Sequence, residues 1–261
     1  MTARPIALIT GSRRGIGRAT AVALAAAGFD VALVDLTLSD ELKAAAAEIA
    51  QGNVRAVALA GNIADIAAHE QLLDAVEASL GPIDCLVNNA GVSVRSRGDL
   101  LDVTPESYDH CLDVNTRGTF FLTQAFARRL LARIETAATL KPGHRSVITI
   151  TSCNASAASP LRAEYCVSKA ALSMVSTVFA LRLAPHGIGV YEVQPGFIET
   201  EMTAPSKARY DEQIGNGLTV MPRWGKPEEV AEVIATMARG GLPYTVGQAV
   251  RVDGGLLIPK Y

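Results

Sequence analysis

Short apolar runs rich in β-branched residues alternate with longer segments rich in Ala and Leu along the chain. Runs of four to six mostly apolar residues are typical of strands that are buried on both faces of a parallel sheet. The predicted strands are residues 6–10, 31–36, 54–59, 83–88, 146–151, 189–193 and 249–252. The segments between them favour helix, because Ala has the highest helix propensity. The predicted helices are residues 17–27, 40–51, 67–80, 105–135, 160–184 and 227–239.

This alternation predicts one α/β domain over residues 1–261, with a doubly wound, seven-stranded parallel sheet and helices on both of its faces. No internal repeat or linker interrupts the series. One segment, residues 197–224, has no assigned element, because it is polar and contains Thr-Ala-Pro, Gly-Asn-Gly and Met-Pro. It is too long for an ordinary connection, so we expect a substrate loop or lid there.

Composition excludes several classes of protein. Of 261 residues, 49% are hydrophobic and 19% are charged, which excludes intrinsic disorder. A formal net charge of −2 argues against a nucleic-acid-binding protein, which needs a basic surface. No apolar run approaches the ~20 residues of a membrane span, and the first apolar stretch begins too early for a signal peptide, so we expect neither. The four cysteines form no CxxC pair, which predicts free thiols in the cytoplasm, and the four scattered histidines predict no metal site.

A glycine-rich turn follows the first predicted strand, in the segment Thr10-Gly-Ser-Arg-Arg-Gly-Ile-Gly17. Glycines at these positions allow a tight turn and a close approach of a pyrophosphate to the backbone. The helix that follows offers free N–H groups and the positive end of its dipole to the phosphates. The position between strand and helix favours a dinucleotide site, while an ordinary strand–helix turn is the alternative.

Asp35 lies at the end of the second predicted strand, 18 residues after Gly17. A carboxylate there can accept hydrogen bonds from both adenosine ribose hydroxyls, and it would repel a 2′-phosphate. This favours NAD over NADP. Arg13 and Arg14 favour NADP instead, because cations in the turn can pair with that phosphate. Alternatively, Asp35 only begins a turn.

Tyr165 and Lys169 are four residues apart on a predicted helix, whose start is marked by Ser159 as cap and Pro160 at the first helical position. Residues i and i+4 share a helix face, so the ammonium can lie near the phenol. A nearby cation favours phenolate and is therefore expected to lower the pKa of Tyr165 from its usual ~10, which suits an acid/base catalyst. Ser152 ends the fifth strand, at the sheet edge where ligands bind. Taken alone, this Tyr–Lys spacing more often marks an exposed helix face.

Together these residues resemble the short-chain dehydrogenase/reductase family over essentially the whole chain. The matching segments are Thr10–Gly17, Asn88-Asn-Ala-Gly91, Asn115, Ser152, Tyr165-Cys-Val-Ser-Lys169, Pro195-Gly196 and Asp253-Gly-Gly255. The order of the segments and the 13-residue gap from Ser152 to Tyr165 fit the family's pattern. The resemblance implies a Rossmann fold and a homotetramer built from the helices 105–135 and 160–184 and the last strand.

The resemblance also implies a catalytic role for four residues. Tyr165 would be the general acid/base, and Lys169 would lower its pKa and hold the nicotinamide ribose. Ser152 would orient the substrate oxygen. Asn115 would hold a water that links Lys169 to solvent.

The same resemblance implies contacts with the cofactor along several segments. The implied residues are Gly11, Ser12, Arg13, Arg14, Gly15, Ile16, Gly17, Asp35, Leu36, Asn62, Ile63, Asn89, Ala90, Gly91, Tyr165, Lys169, Pro195, Gly196, Ile198, Thr200 and Met202. Ile198 and Thr200 would contact the carboxamide of the nicotinamide. Asn62 departs from the Asp that is often found there, and its carbonyl would accept from the adenine amine instead.

The residues expected around the substrate are polar and include few aromatics, unlike a steroid or lipid pocket. The candidates are Ser93, Arg95, Arg97, Ser152, Asn154, Arg162, Tyr165 and Phe197. We therefore predict an NAD-dependent enzyme that oxidises a secondary alcohol or lactol of a carbohydrate-like substrate, with the three arginines available for an anionic group. A 3-oxoacyl-acyl-carrier-protein reductase that uses NADPH is the alternative within the family. A non-catalytic dinucleotide-binding regulator is the alternative of another class.

Overall fold

A computed structural model describes residues 4–136 and 143–259. Its strands are β1 (Ile6–Thr10), β2 (Asp30–Asp35), β3 (Ala56–Ala60), β4 (Cys85–Asn88), β5 (Arg145–Ile150), β6 (Ile188–Pro195) and β7 (Ala249–Val252). Its helices are α1 (Gly15–Ala26), α2 (Asp40–Ala50), α3 (His69–Leu80), α4 (Pro105–Leu112), α5 (Thr119–Thr136), α6 (Ala163–Leu183), α7 (Lys207–Gly215) and α8 (Pro227–Ala238). Of the predicted domain, residues 1–3, 137–142 and 260–261 lie outside the described residues.

The seven described strands form one parallel sheet in the order β3-β2-β1-β4-β5-β6-β7. The order reverses direction between β1 and β4, which creates a crevice at the carboxyl ends of these strands. One apolar cluster joins the sheet to α1, α2 and α8, and a second joins it to α3, α5 and α6. The prediction of a doubly wound Rossmann fold is confirmed.

Most strand boundaries differ from the predictions by one or two residues, because hydrogen bonding with neighbouring strands decides where each strand ends. For example, the strand predicted over 54–59 is Ala56–Ala60, and the one predicted over 189–193 extends over Ile188–Pro195. At the end of β2, the backbone N–H of Leu36 donates to Asp35 Oδ1 (2.8 Å). Asp35 therefore ends this strand, and Leu36 lies outside it.

The segment predicted as one helix over 105–135 is helical throughout, but a π-helical turn over Asp113–Gly118 divides it into α4 and α5. Such a turn inserts a residue into a helix and often lies at a functional site. Here it lets the Asn115 side chain reach another segment, accepting from the Val92 N–H (2.8 Å) and donating to the Val92 carbonyl (3.0 Å). Close packing at Gly118 also constrains the turn, because a Cβ there would collide with the Ile63 carbonyl oxygen.

The helical segment predicted over 160–184 begins at Pro160, but its first turn is not α-helical. Pro160–Arg162 is a single 3₁₀ turn, and α6 begins at Ala163. The Ser159 side chain makes no capping hydrogen bond. Instead, the Ser159 backbone holds the turn through its carbonyl, which accepts from Arg162 N–H (3.0 Å), and through its N–H, which donates to Cys166 Sγ (3.3 Å).

The segment 197–224 contains a helix, α7, which the sequence pattern did not predict. Only Ile214 of α7 is buried, so the segment lacks the apolar stripe that indicates a helix. Aromatic contacts fix its position instead: Phe197 lies 4.4 Å from Tyr210 between ring centroids, and Trp224 donates to Asp211 Oδ1 (2.6 Å). Its function as a lid stays a prediction.

Residues 160–186 form a helical segment that is long and apolar enough to cross a membrane, which corrects the expectation that no such segment exists. In the fold this segment packs on β6, and it buries polar side chains at Glu164, Ser168 and Lys169. Its other side exposes apolar residues, among them Met174 and Leu181. Burial of the polar side indicates a core helix of the sheet, and the exposed side is available for contact with another subunit.

Candidate active site

The glycine turn lies at the carboxyl edge of the sheet and is packed against the end of β4. Gly11 has a φ of +64°, and a Cβ there would lie 2.7 Å from Ala90 Cα. A Cβ on Gly17 would collide with the Gly11 carbonyl oxygen. Neither position has room for a side chain, so only glycine lets the turn pack this closely against the start of α1 and the end of β4.

Hydrogen bonds tie this turn to its two neighbouring strands. Asn89 Nδ2 donates to the carbonyls of Thr10 (2.9 Å) and Gly11 (2.8 Å). Thr10 Oγ1 accepts in return from the backbone N–H groups of Asn89 and Ala90 (both 3.1 Å). On the other side, Ser12 donates to the Val34 carbonyl from its backbone N–H (3.1 Å) and its hydroxyl (3.2 Å). The structure thus brings the predicted segments around residues 11–17 and 89–91 together.

Asp35 lies beside the glycine turn, at the end of β2. Its carboxylate accepts from the backbone N–H groups of Arg13 (3.2 Å) and Leu36 (2.8 Å) and is half-buried. The Arg13 guanidinium pairs with Glu41 (3.4 Å), and Arg14 is exposed. The negative charge at this corner is therefore fixed by the backbone, whereas the arginine charge that would favour NADP is partly neutralised.

The structure modifies the expectation for Asn62 and Ile63. Asn62 Oδ1 accepts from the backbone N–H of Ala64 (3.0 Å), an Asx turn that occupies one lone pair of the carbonyl expected to accept from adenine. The Ile63 side chain is buried in the core, and its carbonyl hydrogen-bonds to His69 Nε2 (2.8 Å). Ile63 can therefore line a cofactor site only through its backbone.

Ser152, Tyr165 and Lys169 are buried together where β5 and α6 meet. The Ser152 hydroxyl lies close enough to Tyr165 to act on its pKa, and Lys169 Nζ lies 5.8 Å from the Tyr165 ring centroid. Lys169 Nζ also donates to the Ile150 carbonyl (3.0 Å). A Cβ on Gly91 would lie 3.0 Å from Asn115 Oδ1 and 3.5 Å from Lys169 Nζ, so the segment after β4 packs directly against these groups.

The expected lowering of the Tyr165 pKa by Lys169 is wrong for the protein alone. Burial raises the pKa of Tyr165 above its ordinary value, and this effect exceeds the lowering by the Ser152 hydrogen bond and the Arg162 charge. Burial also lowers the pKa of Lys169, to about 8. The i,i+4 spacing predicts only the attraction between the two charged forms. The desolvation of both buried groups, which the spacing does not predict, has the larger effect.

Asn115 is fully buried, and its side-chain amide is engaged within the protein. Besides its two bonds to Val92, its Nδ2 donates to Ser168 Oγ (2.9 Å). The side chain therefore links the segment after β4 to α6. Both amide protons have partners, so a water held by Asn115 would need one of its oxygens; the proton relay stays a prediction.

Glu192 is a buried carboxylate of this site that the sequence analysis missed. Its Oε1 accepts from Thr151 Oγ1 (2.6 Å) and Gln194 Nε2 (2.8 Å), and its Oε2 accepts from Ser173 Oγ (2.8 Å). Ser173 lies one turn after Lys169 on α6, and the Glu192 charge raises the pKa of Lys169 against the larger lowering by burial. The sequence does contain a signal for Glu192, because it is a carboxyl inside the apolar run 189–193. A charged side chain in a buried strand rarely lacks a polar partner.

The predicted substrate residues divide into two groups. Ser152, Asn154, Arg162 and Tyr165 lie together, because Asn154 N–H donates to Ser152 Oγ (3.1 Å) and Arg162 Nη2 donates to Asn154 Oδ1 (2.6 Å). Arg95 and Arg97 are exposed, and Ser93 is half-buried in the same segment. Of the three arginines, only Arg162 lies against the Tyr165 ring.

The remaining predicted residues follow β6. Gly196 N–H donates to the Val252 carbonyl (3.0 Å), next to buried Pro195. Ile198 is buried in the core, whereas Met202 is about half exposed. Thr200 lies opposite the glycine turn, where a Cβ on Gly15 would be 3.4 Å from its Cγ2. The prediction that Ile198 contacts the carboxamide has to rely on its backbone.

Comparisons with known proteins agree with this geometry. Residues 11–257 match a family model described as "Enoyl-(Acyl carrier protein) reductase". A 3-oxoacyl-[acyl-carrier-protein] reductase of Synechocystis is 35% identical over 254 residues, 97% of each chain.

Two solved structures cover nearly the whole chain. A Brucella melitensis 3-oxoacyl-[acyl-carrier protein] reductase in complex with NAD has a TM-score of 0.94 and 43% identity and covers 100% of both chains. A Beutenbergia cavernae protein described as a putative NAD(P)-dependent gluconate 5-dehydrogenase, with bound NADP, has a TM-score of 0.86 and 30% identity and covers 98% of both chains. The glycine turn, the Ser152–Tyr165–Lys169 group and these matches together show that the chain belongs to the short-chain dehydrogenase/reductase family of oxidoreductases, which act on CH–OH groups.

Proposed function

We propose that this protein is an NAD-dependent dehydrogenase that oxidises a secondary alcohol or lactol of a carbohydrate-like substrate. The observation that carries the proposal is the buried Ser152–Tyr165–Lys169 group, which lies at the same carboxyl edge of the sheet as the glycine turn and packs against Gly91, in the segment that is hydrogen-bonded to that turn. A carbinol placed against this group has a proton acceptor on one side and the dinucleotide on the other. The homotetramer that the family resemblance implies and the cytoplasmic location remain predictions.

Each buried side chain has a distinct task in this reaction. NAD, when bound, accepts the hydride. Ser152 donates a hydrogen bond to the substrate oxygen and orients it, while Tyr165, as phenolate, removes the hydroxyl proton. Lys169 provides the positive charge that stabilises the phenolate; its bond to the Ile150 carbonyl holds it in place, and the Glu192 charge favours its protonated form.

The cofactor preference follows from the corner at Asp35. Its carboxylate is held by two backbone N–H groups, so it cannot rotate away from an adenosine ribose without losing them. The Brucella structure holds NAD, which is consistent with this preference, whereas the Beutenbergia structure holds NADP.

Asp35→Ala is expected to raise the ratio of kcat/KM with NADP to kcat/KM with NAD by about tenfold to a hundredfold, because a hydrogen bond to a charged group is worth about 1.5–3 kcal/mol. Steady-state rates with both cofactors measure this ratio. Asp40→Ala, at the exposed start of α2, is the matched control and should leave the ratio unchanged. An unchanged ratio in Asp35→Ala would show that this carboxylate does not select the cofactor.

A 3-oxoacyl-acyl-carrier-protein reductase is the second candidate, and the names of the curated relatives favour it. Use of NAD does not separate the two candidates, because the Brucella protein that holds NAD carries the same reductase name. A neutral thioester substrate would leave the cationic Arg162 beside Tyr165 without a charged partner, and this observation favours the carbohydrate-like acid.

A substrate panel tests the proposed function. NADH formation from sugars, sugar acids and polyols is measured beside NADH and NADPH consumption with a 3-oxoacyl thioester. We expect the highest kcat/KM with a polyhydroxylated acid and NAD. A higher kcat/KM for the thioester than for every alcohol in the panel would favour the reductase instead.

A further inference from the structure

We propose that Arg162 is the specificity residue of this site and that the substrate carries a carboxylate one or two carbons from the carbon that is oxidised. This inference rests on the proposed dehydrogenase function and names its substrate class, a 2- or 3-hydroxy acid. Four observations support it: the position of the guanidinium, its anchoring, its lack of a protein anion, and its unsatisfied N–H group.

The guanidinium of Arg162 lies over the catalytic ring. Its central carbon is 5.0 Å from the Tyr165 ring centroid, and its charge acts to lower the pKa of Tyr165. A group bound to this guanidinium therefore lies within a few bond lengths of the oxygen that Tyr165 deprotonates. About one or two carbons of a substrate span such a gap.

A relay of hydrogen bonds fixes the direction of the guanidinium. Its Nη2 donates to Asn154 Oδ1 (2.6 Å), and Asn154 Nδ2 donates in turn to the Ala157 carbonyl (2.9 Å). Because Asn154 N–H also donates to Ser152 Oγ (3.1 Å), the same residue positions the arginine and the catalytic serine. Such anchoring reduces the entropy that a flexible side chain loses when it binds a ligand.

No carboxylate of the described residues lies within 4.0 Å of Arg162. The side chain is half-buried, and its Nε is fully buried with no hydrogen-bond partner. By contrast, Arg129 on α5 pairs with three acidic side chains. A partly desolvated cation is stabilised by an anion that accepts from its remaining N–H donors, and no described residue supplies that anion.

A carboxylate matches the Arg162 guanidinium in shape and in distance from the reacting carbon. Its two oxygens match the planar fork of a guanidinium, which retains free N–H donors after the bond to Asn154. A phosphate ester would place its charge farther from the reacting carbon, through an additional ester oxygen. Arg95 and Arg97, which are exposed, are not needed for this contact.

The test compares acids with amides of the same skeleton. We would measure kcat/KM with NAD for gluconate against gluconamide and for 3-hydroxybutyrate against 3-hydroxybutyramide, in wild type, Arg162→Lys and Arg162→Met. We expect wild type to prefer the acid of at least one pair by about a hundredfold, and Arg162→Met to lose most of this preference. Arg162→Lys should retain part of it, because it keeps the charge without the planar fork.

Arg239→Met is the matched control, because Arg239 is an exposed arginine at the end of α8, where it pairs with Glu232 (3.7 Å). It should leave the acid-to-amide ratio unchanged. Binding of malonate and malonamide to the NAD complex, measured by calorimetry, supplies a second readout that needs no turnover. Malonate should bind more tightly than malonamide, and only the Arg162 variants should weaken it.

The outcomes separate this inference from the proposed function. Equal losses for acid and amide in Arg162→Met would overturn the inference, since they would show that Arg162 acts only on Tyr165, and the dehydrogenase would stand. A preference for a phosphate ester over the acid, or equal affinity for malonate and malonamide, would also overturn it. Reduction of a 3-oxoacyl thioester without oxidation of any alcohol would overturn the proposed function as well.

Discussion

Tyr165→Phe is expected to lower kcat by about 10³-fold or more, while the affinity for NAD stays within about twofold of wild type. The substitution removes only the hydroxyl, which is the proton acceptor, and general acid–base catalysis contributes about 10²–10⁴-fold. The phenyl ring keeps the packing, because the side chain is buried between α6 and the loop after β5. Single-turnover rates of NADH formation measure the chemical step, and calorimetric titration with NAD measures its affinity.

The control for this prediction is Tyr108→Phe, which removes a hydroxyl from a partly exposed tyrosine on α4. Its turnover should equal that of wild type. If Tyr165→Phe keeps a tenth or more of the wild-type rate, another group carries the proton. If instead NAD affinity falls in parallel with the rate, the hydroxyl is needed for binding rather than for chemistry.

Lys169→Met is expected to lower kcat/KM by about 10²–10³-fold and to weaken NAD binding, because it removes a buried charge next to Tyr165. The pKa of Lys169 is lowered by burial to about 8, so in wild type the charged form is lost as pH rises through that value. NAD affinity of the wild type should therefore decline above pH 8, and that of Lys169→Met should be flat in the same window. Lys43→Met, on the exposed side of α2, is the control and should behave like wild type.

Glu192→Gln tests the same charge interaction more mildly than Lys169→Met, because it keeps the shape of the Glu192 side chain and removes only its charge. Glu192 on β6 raises the pKa of Lys169, so its loss should move the decline in NAD affinity to lower pH. The other titratable groups near Lys169 are Tyr165 on α6 and Cys111 on α4, whose thiol is neutral in this range because burial raises its pKa to about 11. Glu48→Gln, exposed on α2, is the control. An unchanged pH profile in Glu192→Gln would show that the network only supports the fold.

The sequence predicts the sheet well, because strands that are buried on both faces are written as continuous apolar runs. Ile6–Thr10 is an example: all five residues are buried between β2 and β4, and the predicted boundaries are those of the structure. The glycine turn is also readable, since only glycine fits at residues 11 and 17. Polar helices cannot be predicted from apolar patterns in this way. Helix α7 buries a single residue, and its position depends on contacts with Phe197 and Trp224.

The residues of the site are predictable, but its electrostatics are not. The spacing of Tyr165 and Lys169 places both on one face of α6, as the structure shows. The sign of the Tyr165 pKa shift depends on how deeply the phenol is buried, and Glu192 contributes from a strand 23 residues away in sequence from Lys169. Periodicity within one helix contains no information about either effect. For the same reason, the sequence grouped three arginines, of which the fold brings only Arg162 to the ring.

A crystal structure of the protein with bound NAD tests the central claim most directly. We expect the nicotinamide C4 atom and Tyr165 Oη to face one shared space. This space should hold a carbinol whose reacting atoms lie about 3–3.5 Å from C4 and from Oη. The proposal would be contradicted by a structure in which the nicotinamide lies on the far side of the glycine turn and Tyr165 Oη is turned away from C4.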